Sequence, residues 1–312
     1  MPLSGRTVLV TGAGGFLGST IVRSLLQEDV HVRALLGAPG QRVIEPPAGV
    51  QTLRADICDN APIEELTKGA DAVIHAAGPP SVTDSFAAPV EYARVHVQGT
   101  VVMLEACRKV HVRKFIYISS AEIYGRPQVN PVTEEHPLEP RSPYGAAKAA
   151  AEQFVRAYAA TFGGNMVILR PFSVYGPHLY HKSVLASIIE QAISGDAILV
   201  QDLRPRRDFC YSADVASAAC AACAATLDGS VTVNIGSGIG TSIQELAEIV
   251  LQATGRRLPV LEKCADRRTS RSDIFHLVAD TERAKKLLRW TPKVPLTDGL
   301  RRTLAWYREA HP

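Results

Sequence analysis

The chain has 312 residues, 46% of them hydrophobic and 21% charged, which suits one large α/β unit with a lobe attached and excludes a disordered chain. A net charge of only +3, with dense basic runs confined to 204–207 and 267–271, argues against a nucleic-acid binder, which presents a clustered basic face. No stretch reaches the roughly 18 apolar residues of a membrane span.

The N-terminus runs straight into a predicted strand, without a signal-peptide pattern. Through residue 170, short apolar strands at 7–10, 30–35, 50–54, 72–75, 114–118 and 166–170 alternate with helices at 16–27, 62–68, 89–109 and 143–161. Strands rich in Val, Ile and Leu with little alternation are expected where both sheet faces are covered. The pattern predicts a Rossmann-type α/β fold, a doubly wound parallel sheet, over residues 1–170. A smaller substrate-binding lobe, interleaved with the last strands of the sheet, is expected over 171–312. Its elements read as a turn-rich segment 171–181, a helix at 184–194, a strand at 198–200, a basic loop, an Ala-rich helix at 213–227 and a strand at 232–235. A helix at 243–254, a strand at 260–261, a helix at 281–288 and a last helix ending near 307 follow. Cys220 and Cys223 fall in the Ala-rich run with no companion pair at zinc spacing, so reduced thiols, no metal and a cytoplasmic setting are expected.

Two groups of residues carry chemistry. Gly12, Gly15 and Gly18 form G-x-x-G-x-x-G between the first strand and the first helix. Gly12 permits a tight turn, and Gly15 lets the amides of the helix start, Phe16 and Leu17, approach a pyrophosphate. Gly18 lets the helix pack close to the strand. Asp56-Ile57 after the third strand offers a carboxylate to an adenine amino group, and Ala76-Ala77-Gly78 after the fourth keeps the backbone close to a ribose. The second strand ends Leu35-Leu36-Gly37, without the acid that usually binds adenosine ribose. NAD is the expected cofactor, and NADP stays open, with Arg33 or Arg42 as possible partners of a 2′-phosphate.

The second group is Tyr144 and Lys148, four apart and therefore on one helix face, with Ser120 in the turn after the fifth strand. A nearby ammonium is expected to lower the phenol's pKa toward the working range of a proton-transferring group. In this order, Gly12/Gly15/Gly18, Asp56, 75–78, Ser120, Tyr144 and Lys148 closely resemble the extended short-chain dehydrogenases, and more narrowly the NAD-dependent epimerase/dehydratase family. The later stretches 170–177, 207–209 and 234–238 match that family's landmarks.

The resemblance implies Tyr144 as acid/base, Lys148 as its electrostatic partner and ribose ligand, and Ser120 as a hydrogen-bond donor to the sugar. It also implies Pro171 at the cofactor, with Ser173 and Arg207 at a nucleotide sugar; the family's R-x-G-D reads Ser270-Arg271-Ser272-Asp273 here, so its second diphosphate Arg is Arg271, Arg268 or neither. His96 and Ser173 stand where the family commonly has Asn. Ala121-Glu122 follows Ser120 where family dehydratases commonly place an Asp-Glu or Ser-Glu pair, so Glu122 is either an elimination base or a structural residue. The resulting expectation is a nucleotide-sugar 4-epimerase, with a dehydratase using Glu122, an NADPH-dependent 4-ketoreductase and a non-catalytic dinucleotide sensor as alternatives. A homodimer through helices 89–109 and 143–161 is expected as well.

Overall fold

The structure, a computed structural model, describes residues 3–41, 43–263 and 274–311. Arg42, Cys264, Arg267, Arg268 and Arg271 lie outside the described residues. The first half runs β1 (Thr7–Thr11), α1 (Phe16–Leu26), β2 (His31–Leu35), β3 (Gln51–Leu53), α2 (Asn60–Thr67), β4 (Ala72–His75), α3 (Val82–Ala87), α4 (Pro89–Ala93), α5 (Gly99–Lys109), β5 (Lys114–Ile118), α6 (Pro143–Phe162) and β6 (Asn165–Pro171). The second runs β7 (Ser173–Tyr175), α7 (Val184–Ser194), β8 (Ile198–Val200), β9 (Arg206–Tyr211), α8 (Ser212–Ala224), β10 (Gly229–Ile235), β11 (Gly240–Ser242), α9 (Ile243–Thr254), β12 (Val260–Glu262), β13 (His276–Leu277) and α10 (Leu296–Ala310).

Seven strands form one sheet in the order β10-β6-β5-β4-β1-β2-β3, every neighbouring pair parallel. Side chains alternate between the two faces. Val8 and Val10 therefore enter the core under α1 and α8, while Leu9 enters the core under α2, α5 and α6. Both faces are dry, which is why the strands read as continuous apolar runs. The chain lays β1 to β3 outward in one direction and resumes with β4 on the other flank of β1. The carboxyl ends of β1 and β4 thus border the point where strand order reverses, and a ligand crevice opens there.

The later elements, except α8 and β10, build a smaller unit. It holds a sheet β11-β9-β13 with β7 also paired to β9, a second pair β12-β8, and a separate core that includes Leu185, Ile188, Phe209, Leu246 and Leu300. Here the structure departs from the sequence reading. The basic loop is partly strand, because Arg206 and Arg207 open β9. The turn-rich segment contains β7, which pairs with β9 from Ser173 to Tyr175. The single helix expected at 89–109 is broken by a π-helical turn over Arg94–Gln98, and the helix expected at 281–288 is a π-helical turn at Ala284–Leu288. Among the described residues no helix is long and apolar enough to cross a membrane.

The approach of α1 to β1 is set by Gly18, where an added Cβ would lie 2.0 Å from the Gly12 carbonyl oxygen. That oxygen belongs to backbone and cannot swing aside. Gly18→Ala is expected to destabilise the protein by about 1–3 kcal/mol, as overpacking does, read as a lower urea midpoint. An unchanged midpoint would mean that α1 slides along the strand without cost.

Candidate active site

The glycine turn brings β1 against β4. Gly12 has φ +67, and a Cβ there would lie 2.8 Å from the backbone of Ala76 and Ala77, so no side chain fits. Gly15 is the N-cap of α1 and no side chain caps the helix. The amides of Phe16 and Leu17 therefore present the positive end of the helix dipole without a protein anion on it. This cradle fits a pyrophosphate.

Behind it, buried polar groups form an oriented chain. Thr100 Oγ1 donates to the His96 carbonyl at 2.5 Å, so it accepts from His75 Nε2 at 3.1 Å. His75 Nδ1 is then bare and accepts from Thr11 Oγ1 at 2.7 Å, which in turn accepts the Ala77 amide at 3.3 Å. Burial holds His75 neutral, with its pKa pushed down to about 3. The chain thereby pins the segment of Ala76, Ala77 and Gly78 to the ends of β1 and α5.

Asp56 accepts from Arg94 Nη1 and Nη2 at 3.2 and 2.9 Å and from the Cys58 amide at 2.9 Å, and the Arg94 bond holds its carboxyl below the usual range. The Cys58 side chain also bonds this carboxylate. Ile57 turns inward, against Gly99. Arg33 bonds the carbonyls of Leu66 and Lys68 at the end of α2, not the end of β2. The segment after β2 folds back over the glycine turn, with the Ile44 amide donating to the Gly14 carbonyl at 2.8 Å.

The chemical groups meet at the carboxyl ends of β5 and β6. Ser142 caps α6 by accepting the Gly145 amide at 3.0 Å, which starts the helix so that Tyr144 and Lys148 lie in its first two turns. Tyr144 is buried and hydrogen-bonded with Ser120, whose Oγ also accepts the Glu122 amide at 3.2 Å. Lys148 is 4% exposed, with Nζ donating to the Ile118 carbonyl at 2.7 Å above the Tyr117 ring.

Burial dominates the electrostatics. It pushes Tyr144 up to about 12, against the lowering effect of the Ser120 bond, and pushes Lys148 down to about 7, against the raising effect of Glu152. It also raises Glu122, opposed by the nearby Arg207 charge. The expected lowering of the Tyr144 pKa by the ammonium is therefore corrected: burial is the largest influence and raises it, and the opposing influence comes from the Ser120 bond.

Sequence reasoning missed the support behind these groups. Glu152 continues the Tyr144, Lys148 spacing by another four residues, and that spacing was the available signal. Its carboxylate takes Arg170 Nε and Nη2 at 3.0 and 2.7 Å, and Arg170 Nη1 reaches the Tyr124 hydroxyl at 2.8 Å and the Glu134 carbonyl at 3.2 Å. His96 lies in the π-helical turn, fully buried, its ring edge-on to Tyr144 at 5.4 Å and Nε2 on the Pro79 carbonyl at 3.1 Å. An added Cβ on Gly78 would lie 2.2 Å from that ring, so Gly78 and His96 fit only together. Ser173 and Arg207 lie on the neighbouring strands β7 and β9, with Arg207 toward Glu122, and Pro171 is buried opposite Ile235. Arg271 is outside the described residues.

A family model described as the NAD dependent epimerase/dehydratase family matches residues 8–236. The chain belongs to this family. A putative UDP-glucose 4-epimerase of Methanocaldococcus jannaschii is 32% identical over 309 residues, covering 96% of this chain and 98% of that one. A dTDP-glucose 4,6-dehydratase of an Actinoplanes species is also 32% identical, over 96% and 97% of the two chains. The structure of the Thermus thermophilus UDP-glucose 4-epimerase complex with NAD superposes with a TM-score of 0.87 at 33% identity, over 97% and 99%. The Rossmann-type fold and the enzyme class are those of this epimerase/dehydratase family. Equal identity to an epimerase and a dehydratase leaves the reaction to be argued from the site.

Glu152→Gln removes a negative charge that raises the Lys148 pKa. The Lys148 resonance in an NMR titration is therefore expected to titrate at lower pH than in the wild type. Breaking a buried pair also costs about 3–5 kcal/mol, read by urea unfolding. A loss of stability with an unmoved Lys148 titration would confine Glu152 to a structural role.

Proposed function

We propose that the protein is a nucleotide-sugar 4-epimerase that works through a transient 4-keto sugar, with NAD as its cofactor. The observation that carries this reading is the Ser120–Tyr144 hydrogen bond with Lys148 one turn further along α6, on the same parallel sheet whose first strand leads into the uncapped start of α1. When bound, NAD supplies the nicotinamide carbon that takes up and returns the hydrogen of sugar C4. Gly12, Gly15 and Gly18, with the amides of Phe16 and Leu17, hold its pyrophosphate. Asp56 takes the adenine amino group, Ile57, Ala76, Ala77, Gly78 and Pro171 bound the rest of the groove, and Lys148 holds the ribose. Arg33, turned toward α2, is withdrawn from a 2′-phosphate, which favours NAD over NADP.

Tyr144 Oη accepts the proton of the sugar 4-hydroxyl and gives it back, while Ser120 Oγ hydrogen-bonds the same oxygen. Burial keeps the phenol protonated at neutral pH against the lowering effect of the Ser120 bond, so its ionisation calls for a positive charge in the closed site, a role we assign to the Lys148 ammonium one helical turn away. Arg207 offers a guanidinium fork to the sugar nucleotide's diphosphate, joined by Ser173 on the neighbouring strand β7. A second reading, dehydration, is favoured by Glu122, a buried carboxyl of raised pKa close enough to Tyr144 for its charge to act on the phenol. Epimerisation stands ahead because elimination needs both a base and an acid, and Ala121 fills the place of the other carboxyl. We further propose a cytoplasmic homodimer through α5 and α6, where Phe154 and Phe162 are 40% and 57% exposed. A monomer in light scattering would refute the dimer.

Purified protein incubated with UDP-, TDP- and GDP-hexoses is expected to give an isomer of unchanged mass. A product lighter by one water would establish the dehydratase instead. Tyr144→Phe is expected to lose about 10²–10⁴-fold in rate, the contribution of a positioned acid/base, while the purified protein still releases a dinucleotide on denaturation. In the wild type, kcat/KM is expected to fall as pH rises through about 7, because the required Lys148 charge is present below its folded-state pKa and lost above it. A flat profile between pH 6 and 9 would remove Lys148 protonation from the mechanism.

A further inference from the structure

The two parts of the molecule touch through a cluster that the chemistry above does not use. Asp84 lies in the first turn of α3, where its amide is capped by Ser81 Oγ at 3.0 Å. Its carboxylate faces away from its own helix. Oδ2 accepts the Tyr180 hydroxyl at 2.6 Å, and Lys182 Nζ reaches Oδ1 and Oδ2 at 3.0 and 3.2 Å. Tyr180 and Lys182 belong to segment 176–183, which leads from β7, the strand of Ser173, into α7 of the smaller unit.

Below this bridge lies Tyr92. Its phenol bonds with Ser81, as does that of Tyr180, and its buried ring stands edge-on to the Tyr144 ring at 6.2 Å. A single aromatic ring therefore separates the contact between the two units from the reacting phenol. The bridge is built to open. The ion pair is half exposed, with Lys182 at 53% and Asp84 at 37%, so solvent and salt weaken it, while the phenol–carboxylate bond supplies direction.

We propose that Asp84 is a positioning residue that fastens segment 176–183 over Tyr92 and so sets the fit of the sugar against Tyr144, and that release of this fastening admits and frees the sugar nucleotide. Its kinetic part rests on the epimerase reading; its structural part does not. With the fastening made, Tyr92 is held between Ser81 and Tyr144 and the sugar meets a closed wall. With it broken, segment 176–183 keeps only the weaker Tyr180–Ser81 bond toward α3, while His178 beside Trp306 and Leu179 on the smaller unit's core still hold it from the other side.

The test uses the full-length protein. Hydrogen exchange of amides in 176–187 is compared in wild type, Asp84→Ala, Asp84→Asn and Tyr180→Phe. Asp84→Ala is expected to exchange about tenfold faster there, the effect of losing one hydrogen bond to a charged group. Asp84→Asn, which keeps an acceptor for Tyr180, should lie between it and the wild type. Exchange in β1 and β4 should not change, which separates release of the segment from general unfolding. With the sugar nucleotide that the wild type converts, KM is expected to rise by a similar factor in Asp84→Ala while kcat is kept or raised. Added salt screens the diphosphate from Arg207 in both proteins, so it should raise both KM values, and by the larger factor in the wild type. Unchanged exchange in Asp84→Ala overturns the fastening, whatever the enzyme's activity. Faster exchange with unchanged KM and kcat overturns its role in positioning the sugar. A wild type that converts no sugar nucleotide refutes the epimerase reading and with it the kinetic part, and the exchange result still decides the structural one.

Discussion

A guanidinium and a carboxylate cut off from water meet between β6 and α6, and the placement of the chemical groups depends on that pair. Burying both charges is expensive, and the geometry offsets the cost because Arg170 and Glu152 are bidentate, Tyr124 and Glu134 take Arg170 Nη1, and Arg156 Nη2 adds a second guanidinium on Glu152 at 3.2 Å. An apolar pair would hold α6 against the sheet equally well but would leave its rotation open. The ion pair fixes rotation, and with 3.6 residues per turn it thereby fixes where Tyr144 and Lys148 point. The hydroxyl of Tyr124 then donates to Asn234 Oδ1 at 2.7 Å, which carries the same constraint to β10 at the sheet's edge.

The site is electrostatically unsettled around that rigid frame. Burial pushes a phenol and a carboxyl upward and an ammonium downward, so each group is driven toward its neutral form. Such a site favours ligands that bring charge of their own, because each new charge shifts its neighbours strongly in a low dielectric. The arrangement suits a catalyst whose proton-transferring group is ready only when the cleft is filled. Arg207 on β9 extends the same field toward Glu122, so any anion that comes to Arg207 also acts on that carboxyl.

Local signals made much of this legible. The glycine turn, the parallel strands and the Tyr144, Lys148 pair are all encoded within short windows, where the glycine geometry or the four-residue spacing has one good structural reading. What escaped was non-local. Asp84 and Tyr180 are 96 residues apart, and neither sits in a recognisable pattern. Arg206 and Arg207 read as a loop because charge hides a strand that is specified by pairing with β7, β11 and β13. The phenol's pKa departs from the sequence expectation for a related reason: spacing reveals a neighbouring charge but not the depth of burial, which dominates the phenol.

The π-helical turn at Arg94–Gln98 has a consequence for how this chain can change over generations. One extra residue in that turn sends Arg94 to Asp56 at one end of the cleft and His96 to Gly78 and Tyr144 at the other. Losing one residue there would restore a regular helix and rotate α4 by about 100° relative to α5. Tyr92 would leave Tyr144, and the whole stretch back to α3 would turn with it. Substitutions in this turn are local events, whereas a change of length is felt across the cleft. Descendants of this sequence are free to vary the turn's side chains far more readily than its count.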